Sequence, residues 1–328
     1  MIEVKGLSKY YKLVEKKPGL SGAVQGLFAR KYSIKKAVDD ISFVIDQGEM
    51  VGYIGANGAG KSTTIKMLCG ILTPSSGEIT VSGIVPYKER KRNASNIGAV
   101  FGQRTQLFWD IAVRESYDLL KHIYEIPQHQ YEKTMDLFTE VLDLGPLLGI
   151  PVRQLSLGQK MRCELAAAFL HSPSIVYLDE PTIGLDVAVK VKIRQFIKEM
   201  NRSMNTTVIL TTHDMQDIEE ICKRIIIIDE GKILYDGSIQ SIKDRYGHKR
   251  IIHFEMEQEG EFTLPESLLG KAEFTAHEAG VVSLSFSNLI ITAAEVISEM
   301  LRFYHIRDLT IADSRIESIV QDIYERGI

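Results

Sequence analysis

The nine residues Gly55-Ala56-Asn57-Gly58-Ala59-Gly60-Lys61-Ser62-Thr63 have the spacing G-x-x-x-x-G-K-[ST]. Glycines at 55, 58 and 60 let the backbone wrap tightly, so that several N–H groups point inward at phosphate oxygens. A helix opening at Ser62 adds the positive end of its dipole. Lys61 then meets the β- and γ-phosphates as a point charge, and the Ser62 hydroxyl ligates magnesium. A glycine-rich turn with an incidental lysine has the same letters, but here an apolar strand precedes the motif and an amphipathic helix follows it. About 120 residues downstream, the apolar run Ile175–Leu178 ends in Asp179 and Glu180. On a buried strand these two acids stand at the carboxyl end of the sheet, beside the phosphate loop. Asp179 is placed to hold magnesium through water, and Glu180 to polarise an attacking water as general base. An acid pair after a strand is otherwise a solvated loop start; the loop upstream favours the chemical reading.

These groups need elements to hold them. Ser42–Ile45 and Met50–Ile54 read as strands, and the second runs straight into the glycines. Ser62–Leu72, Val113–Ile126, Tyr131–Leu144, Gln159–Leu170, Val187–Met200 and Met215–Lys223 carry apolar residues at helical spacing. Ile97–Phe101, Ile175–Leu178 and Thr207–Thr211 are short apolar runs, and Ile225–Ile228 with Lys232–Tyr235 reads as a strand pair joined at Glu230-Gly231. Strands alternating with helices predict an α/β domain with a mainly parallel sheet. The pattern changes near 244–250. Ile252, Phe254 and Met256 alternate, as do Val282, Leu284 and Phe286, and a strand is expected at Ile306–Ile311. Thr292-x-x-Glu295 and Ser314-x-x-Glu317 are capping boxes that open two helices. The first has the apolar stripe Ala293, Val296, Ile297, Met300, Leu301; the second has Ile316, Ile319, Val320, Ile323, Tyr324. Two domains are expected: residues 1–245 and a small α+β domain over 246–328.

Composition narrows the function classes. The 328 residues are 45% hydrophobic and 25% charged, with a net charge of −4, which disfavours a globally basic nucleic-acid binder. Three cysteines, Cys69, Cys163 and Cys222, are too scattered for a disulfide framework or a zinc site. His248, His253, His277 and His305 are not at metal-ligand spacing. No stretch approaches 18 consecutive apolar residues, and the first residues lack an apolar leader core, so the expectation is a cytoplasmic protein that borrows any membrane spans it serves.

Between the two phosphate-directed motifs lies Leu155-Ser156-Leu157-Gly158-Gln159, directly before a helix and twenty residues ahead of Asp179. In isolation it is a serine N-cap. In this place it resembles the L-S-G-G-Q signature of the ATPase subunits of ATP-binding cassette (ABC) transporters, with Leu157 at the third position. The resemblance covers residues 1 to about 245 and several motifs in order. It implies a P-loop ATPase fold of the ABC type, with a helical subdomain over about 104–172 and antiparallel strands at the edge of the parallel sheet. It implies ATP and Mg2+ as ligands. Ser156, Gly158 and Gln159 then grip the γ-phosphate of ATP bound to the opposite protomer. Asp186, in Ile183-Gly184-Leu185-Asp186, communicates with that protomer. His213, within Thr211-Thr212-His213-Asp214, contacts the γ-phosphate and orients water. Tyr11 stacks on adenine, with Tyr10 as competitor. Gln103 is the magnesium and water contact after the strand Ile97–Phe101, with Gln106 second. Leu107-Phe108-Trp109-Asp110 either packs in the core or forms part of the groove for a membrane subunit.

The branch most resembled contains drug-resistance, sodium-extrusion and polysaccharide-export ATPases. The implied partners are a separate transmembrane permease and a second copy, or a related ATPase, with no nucleic acid. The implied location is peripheral, on the inner face of the cell membrane. An importer subunit, or a soluble cassette ATPase acting on ribosomes or DNA, are the rival readings. Residues 12–36 depart from the common pattern: seven bases face one acid, and Leu20, Ala23, Val24, Leu27 and Phe28 fall on one helical face. Such a helix can pack on its own domain, dock on a partner or lie on lipid. The C-terminal domain carries no catalytic motif, and the resemblance implies a regulatory or dimer-stabilising module.

Overall fold

The computed structural model describes residues 1–14, 32–102, 105–257, 262–278, 280–312 and 316–326. The helix expected over 20–28 lies outside these residues, as does Gln103. The chain forms two compact units, Met1–Asp236 and Gly237–Ile328, so the division falls ahead of residue 245.

In the first unit the chain runs β1 (Ile2–Val14), β2 (Tyr32–Ile45), β3 (Met50–Gly55), α1 (Lys61–Leu68), β4 (Ser76–Val81), α2 (Arg90–Asn96), β5 (Ile97–Phe101), α3 (Val113–Ile123), α4 (Gln128–Leu142), α5 (Leu157–Phe169), β6 (Ile175–Asp179), α6 (Val187–Met204), β7 (Thr207–Thr211), α7 (Met215–Ile221), β8 (Arg224–Asp229) and β9 (Lys232–Ser238). Strands β3, β6, β7 and β8 are the near-continuous apolar runs that burial on both faces requires; Val176, Leu178, Val208, Leu210 and Ile225–Ile228 are all buried. They build a six-stranded sheet in the order β5-β6-β7-β3-β8-β9. The pairs from β5 to β8 are parallel, with Asp179 opposite Thr211 and Gly55 opposite Ile228. Parallel pairing brings the carboxyl ends of β3, β6 and β7 to one edge, which is what a site built from several strand ends needs.

The first antiparallel strands make a sheet of their own, in the order β2-β1-β4. β1 is absent from the sequence expectations, and its register explains why. Irregularities between Val4 and Leu7, Leu7 and Lys9, and Lys9 and Tyr10 break the alternation of period two that marks a strand. The β1–β2 ladder continues to Val14 and Tyr32, so the first and last residues of the basic segment 12–36 are strand.

Helices α4, α5 and α6 are joined by aromatic packing. Phe196 meets Phe138 at 5.2 Å and Phe169 at 5.3 Å, both edge-on, and all three rings are buried. Phe196→Ala is expected to lower stability by about 3–5 kcal/mol, through lost transfer energy plus a cavity, in urea unfolding followed by far-UV circular dichroism. His171, just after α5, has its Nε2 3.0 Å from the Ile97 carbonyl and stacks on Tyr124 at 3.9 Å. Burial lowers its pKa from 6.5 to about 4, opposed by the Ile97 carbonyl. Between those values the unfolded chain binds the extra proton, so the fold loses stability as pH falls from 6.5 towards 4, by up to about 3 kcal/mol. His171→Gln is expected to flatten that part of the stability–pH curve; an unchanged slope contradicts this.

The second unit runs α8 (Ile239–Tyr246), β10 (Lys249–Met256), β11 (Ala272–Glu278), β12 (Val281–Ser287), α9 (Ala293–Phe303), β13 (Ile306–Ala312) and α10 (Ile316–Arg326). Its strands form an antiparallel sheet in the order β11-β12-β10-β13. Ile252 and Phe254, opposite Leu284 and Val282, lie with Met256 and Phe286 on its buried face. The capping box that opens α9 forms: the Glu295 N–H donates to Thr292 Oγ1 at 3.3 Å, and the Thr292 N–H to Glu295 Oε2 at 2.9 Å. Ser314 lies outside the described residues. Val296 and Met300 of the expected stripe are buried, whereas Leu301, at the end of α9, is exposed. Among the described residues no helix is long and apolar enough to cross a membrane.

Candidate active site

The loop between β3 and α1 is held by backbone on both sides. A Cβ at Gly60, whose φ is +113°, would sit 2.5 Å from the Ala37 carbonyl, and one at Gly55 would sit 2.4 Å from that of Ile228. Neither contact can give way, so both positions need glycine. Lys61 Nζ donates to the carbonyls of Gly55 at 2.5 Å and Ala56 at 3.1 Å, which folds its ammonium over the loop. Burial lowers the Lys61 pKa, opposed by the charges of Glu180 and Asp179. The Ser62 hydroxyl donates to Asp179 Oδ2 at 3.4 Å, while Thr211 Oγ1 donates to Asp179 Oδ1. Ser62 and Asp179 thus converge as two hard oxygen donors from different elements, the chemistry a magnesium ion requires.

Glu180 follows in the left-handed region at φ +56°, and its N–H donates to the Thr211 carbonyl at 2.9 Å. A non-glycine residue with that φ is uncommon and is held by its surroundings. The turn aims its carboxylate at the end of β7, where His213 Nδ1 lies 2.8 Å from Glu180 Oε2. His213 is largely exposed and Glu180 mostly covered. A cleft of about 510 Å3 collects Tyr11, Asn57, Gly58, Gly60, Lys61, Ser62, Thr63, Asp179 and Glu180. Tyr11 rather than Tyr10 lines it; the Tyr10 hydroxyl donates to Asp39 at 3.1 Å and Lys36 stands over its ring.

Lys12 and Lys35 also line the cleft, beside Tyr11. In the sequence both belong to the basic segment 12–36; the register Tyr11↔Lys35 and Lys12↔Ile34, which brings them to the cleft, depends on the irregular β1–β2 pairing. Gln106 turns away, its Nε2 donating to the Glu164 carbonyl at 3.0 Å. Glu164 itself is a buried carboxylate on α5 that accepts from Thr105 Oγ1 and from the Gln106 N–H. Burial raises its pKa, opposed by those bonds. In the sequence it is one acid in an apolar helix face, and nothing there marks it.

Ser156, Gly158, Gln159 and Asp186 do not line this cleft. Ser156 is the N-cap of α5 in a full capping box: its Oγ accepts from the Gln159 N–H at 3.3 Å, and Gln159 Oε1 accepts from the Ser156 N–H at 2.9 Å. The cap is exposed, so the helix end faces outward. Asp186 caps α6, accepting from the Val189 N–H at 2.9 Å. Leu157 at the third signature position lies beside Gly184 of the loop before Asp186, where an added Cβ would sit 3.2 Å from its Cδ2. Leu107 is buried, whereas Phe108 and Trp109 are exposed, with the Lys160 ammonium over the Trp109 ring at 5.2 Å.

Residues 38–183 match the family model described as ABC transporter. The chain is 31% identical over 215 residues to the ABC transporter ATP-binding protein NatA of Bacillus subtilis (strain 168), covering 66% of this chain and 87% of NatA. It is 33% identical over 251 residues to the linearmycin resistance ATP-binding protein LnrL of the same organism, covering 76% of this chain and 80% of LnrL. Its structure is similar to the dimeric ATP-binding cassette MJ0796 bound to ADP and Pi, with a TM-score of 0.60 and 26% identity over 73% of this chain and 99% of that one.

Proposed function

The chain belongs to the ABC transporter ATP-binding family, and from that premise we propose that two copies, or one copy and a related ATPase, close around two ATP molecules and drive export through a separate transmembrane permease. The observation that carries this reading is the convergence of Lys61, Ser62, Asp179, Glu180 and Tyr11 on one cleft, with His213 hydrogen-bonded to Glu180, while the outward-facing cap of α5 stands apart from it.

Tyr11 stacks on adenine. The loop amides and Lys61 hold the phosphates, and Lys12 and Lys35 supply positive charge at the cleft rim. Ser62 and Asp179, with Gln103, would hold magnesium, which would neutralise charge on the β- and γ-phosphates. Glu180 accepts a proton from the attacking water, and His213, hydrogen-bonded to it, orients that water against the γ-phosphate. Ser156, Gly158 and Gln159 of the opposite copy complete the phosphate shell. Their amides and hydroxyl need only exchange the capping bonds described above for phosphate oxygens. Asp186 lies where the two copies meet.

Export rather than import rests on the exporter-branch resemblance and on LnrL, whose name records resistance. The exposed Phe108 and Trp109 suit a helix of the permease. The subunit then sits on the inner face of the membrane, and residues 237–328 serve as a regulatory or dimer-stabilising module. The test is to solubilise native membranes in mild detergent with ATP and tagged Glu180→Gln, and to identify what co-purifies. A polytopic membrane protein at about equal stoichiometry supports the reading, and transport assays on that pair set the direction. Ribosomal protein, nucleic acid or an empty membrane fraction overturns it.

A further inference from the structure

Helices α6 and α7 face each other across a ladder of charge that the chemistry above does not use. Lys190, Arg194 and Lys198 repeat every fourth residue on α6; Asp214, Asp217 and Glu220 repeat every third residue from the cap of α7. Lys190 Nζ donates to Asp214 Oδ2 at 2.6 Å, Arg194 Nε to Asp217 Oδ1 at 2.6 Å, and Arg194 Nη1 to Glu220 Oε1 at 2.7 Å. Asp217 is fully buried and Arg194 almost so. The second oxygen of Asp217 accepts from the buried Thr182 hydroxyl.

Two acids of the ladder, Asp217 and Asp214, are tied to the two partners of the Glu180–His213 bond. Thr182 lies two residues after Glu180, on the strained turn that aims its carboxylate. Asp214 directly follows His213 and caps α7, accepting from the Gln216 N–H at 3.1 Å. Buried ion pairs add little net stability compared with apolar packing of the same shape, but removing one partner leaves a costly unpaired charge. α6 also begins at Asp186, so the same helix carries the ladder and the loop placed where two copies meet.

We propose that Lys190 and Arg194 are positioning residues for hydrolysis. They hold the His213 and Glu180 loops in register and pass any displacement of the Asp186 loop to that pair through α6. This rests on the ATPase reading given above. Misplacing a reacting group by about 1 Å can cost as much as 100-fold in rate. Lys190→Met is therefore expected to lower kcat roughly 10- to 100-fold while KM for ATP and thermal stability stay near wild type. Lys190→Arg should restore the rate. Asp214→Asn should match Lys190→Met, and the double variant should be no slower than either, because one link is being cut. Lys190 and Asp214 are partly exposed, so these variants are expected to fold, whereas removing Arg194 would leave the buried Asp217 without its counter-charge. An unchanged kcat in Lys190→Met overturns the proposal. So does a fall in Tm with kcat and KM moving together and no rescue by arginine. Wild-type chain without ATP turnover overturns the ATPase reading itself, which separates the two failures.

Discussion

Replacing Glu180 by glutamine is expected to lower ATP turnover by about 10²- to 10⁴-fold while leaving ATP binding intact. The amide keeps the shape and the left-handed turn at φ +56° but cannot take a proton from water. In the proposed mechanism binding is carried by other groups, the loop amides, Lys61 and Tyr11, which do not depend on that carboxylate. His213 keeps a hydrogen-bonding neighbour at the 2.8 Å position, so the local fold should persist. Single-turnover hydrolysis, alongside equilibrium titration with a fluorescent ATP analogue, separates the two effects. Turnover within a few-fold of wild type would assign the base elsewhere, and loss of binding would mean that the substitution damaged the cleft.

Replacing Lys61 by methionine should act on the opposite quantity. Hydrogen bonds to a charged group contribute about 1.5–3 kcal/mol, so ATP affinity should fall roughly 10- to 100-fold. Hydrolysis should fall further, because the same ammonium faces charge that grows in the transition state. The loop should survive the loss of the two Lys61 bonds, because Gly55 and Gly60 still pack closely against the backbone of Ile228 and Ala37. Mixing Lys61→Met chains with Ser156→Arg chains should recover turnover that neither has alone, since a mixed pair rebuilds one complete site. Failure to recover, with both chains folded, would place Ser156 and Lys61 in separate roles.

The legible parts of the molecule were those where chemistry and period agree. The phosphate loop, the acids closing β6 and the histidine after β7 each follow an apolar run that can only be a buried strand, and parallel pairing carries them to one edge. The alternation in β10 and β12 likewise fixed the buried face of the second unit. β1 was hidden because its irregular register spoils the alternation, and with it went Lys12 and Lys35, whose place in the cleft depends on that pairing. Glu164, Arg194 and Asp217 were hidden for a different reason. A charged residue on a helix reads as solvated until the facing element is known, and their partners lie 23 to 59 residues away. Leu301 shows the converse, an apolar residue in correct phase that the end of its helix leaves exposed.

ATP is expected to join two copies of this chain. Light scattering on purified Glu180→Gln tests it most directly, with and without saturating ATP and Mg2+. The expected result is the monomer mass without nucleotide and twice that mass with it, reverting when Ser156→Arg is added. A mass that stays at the monomer value while titration shows ATP bound would contradict a site shared between two copies.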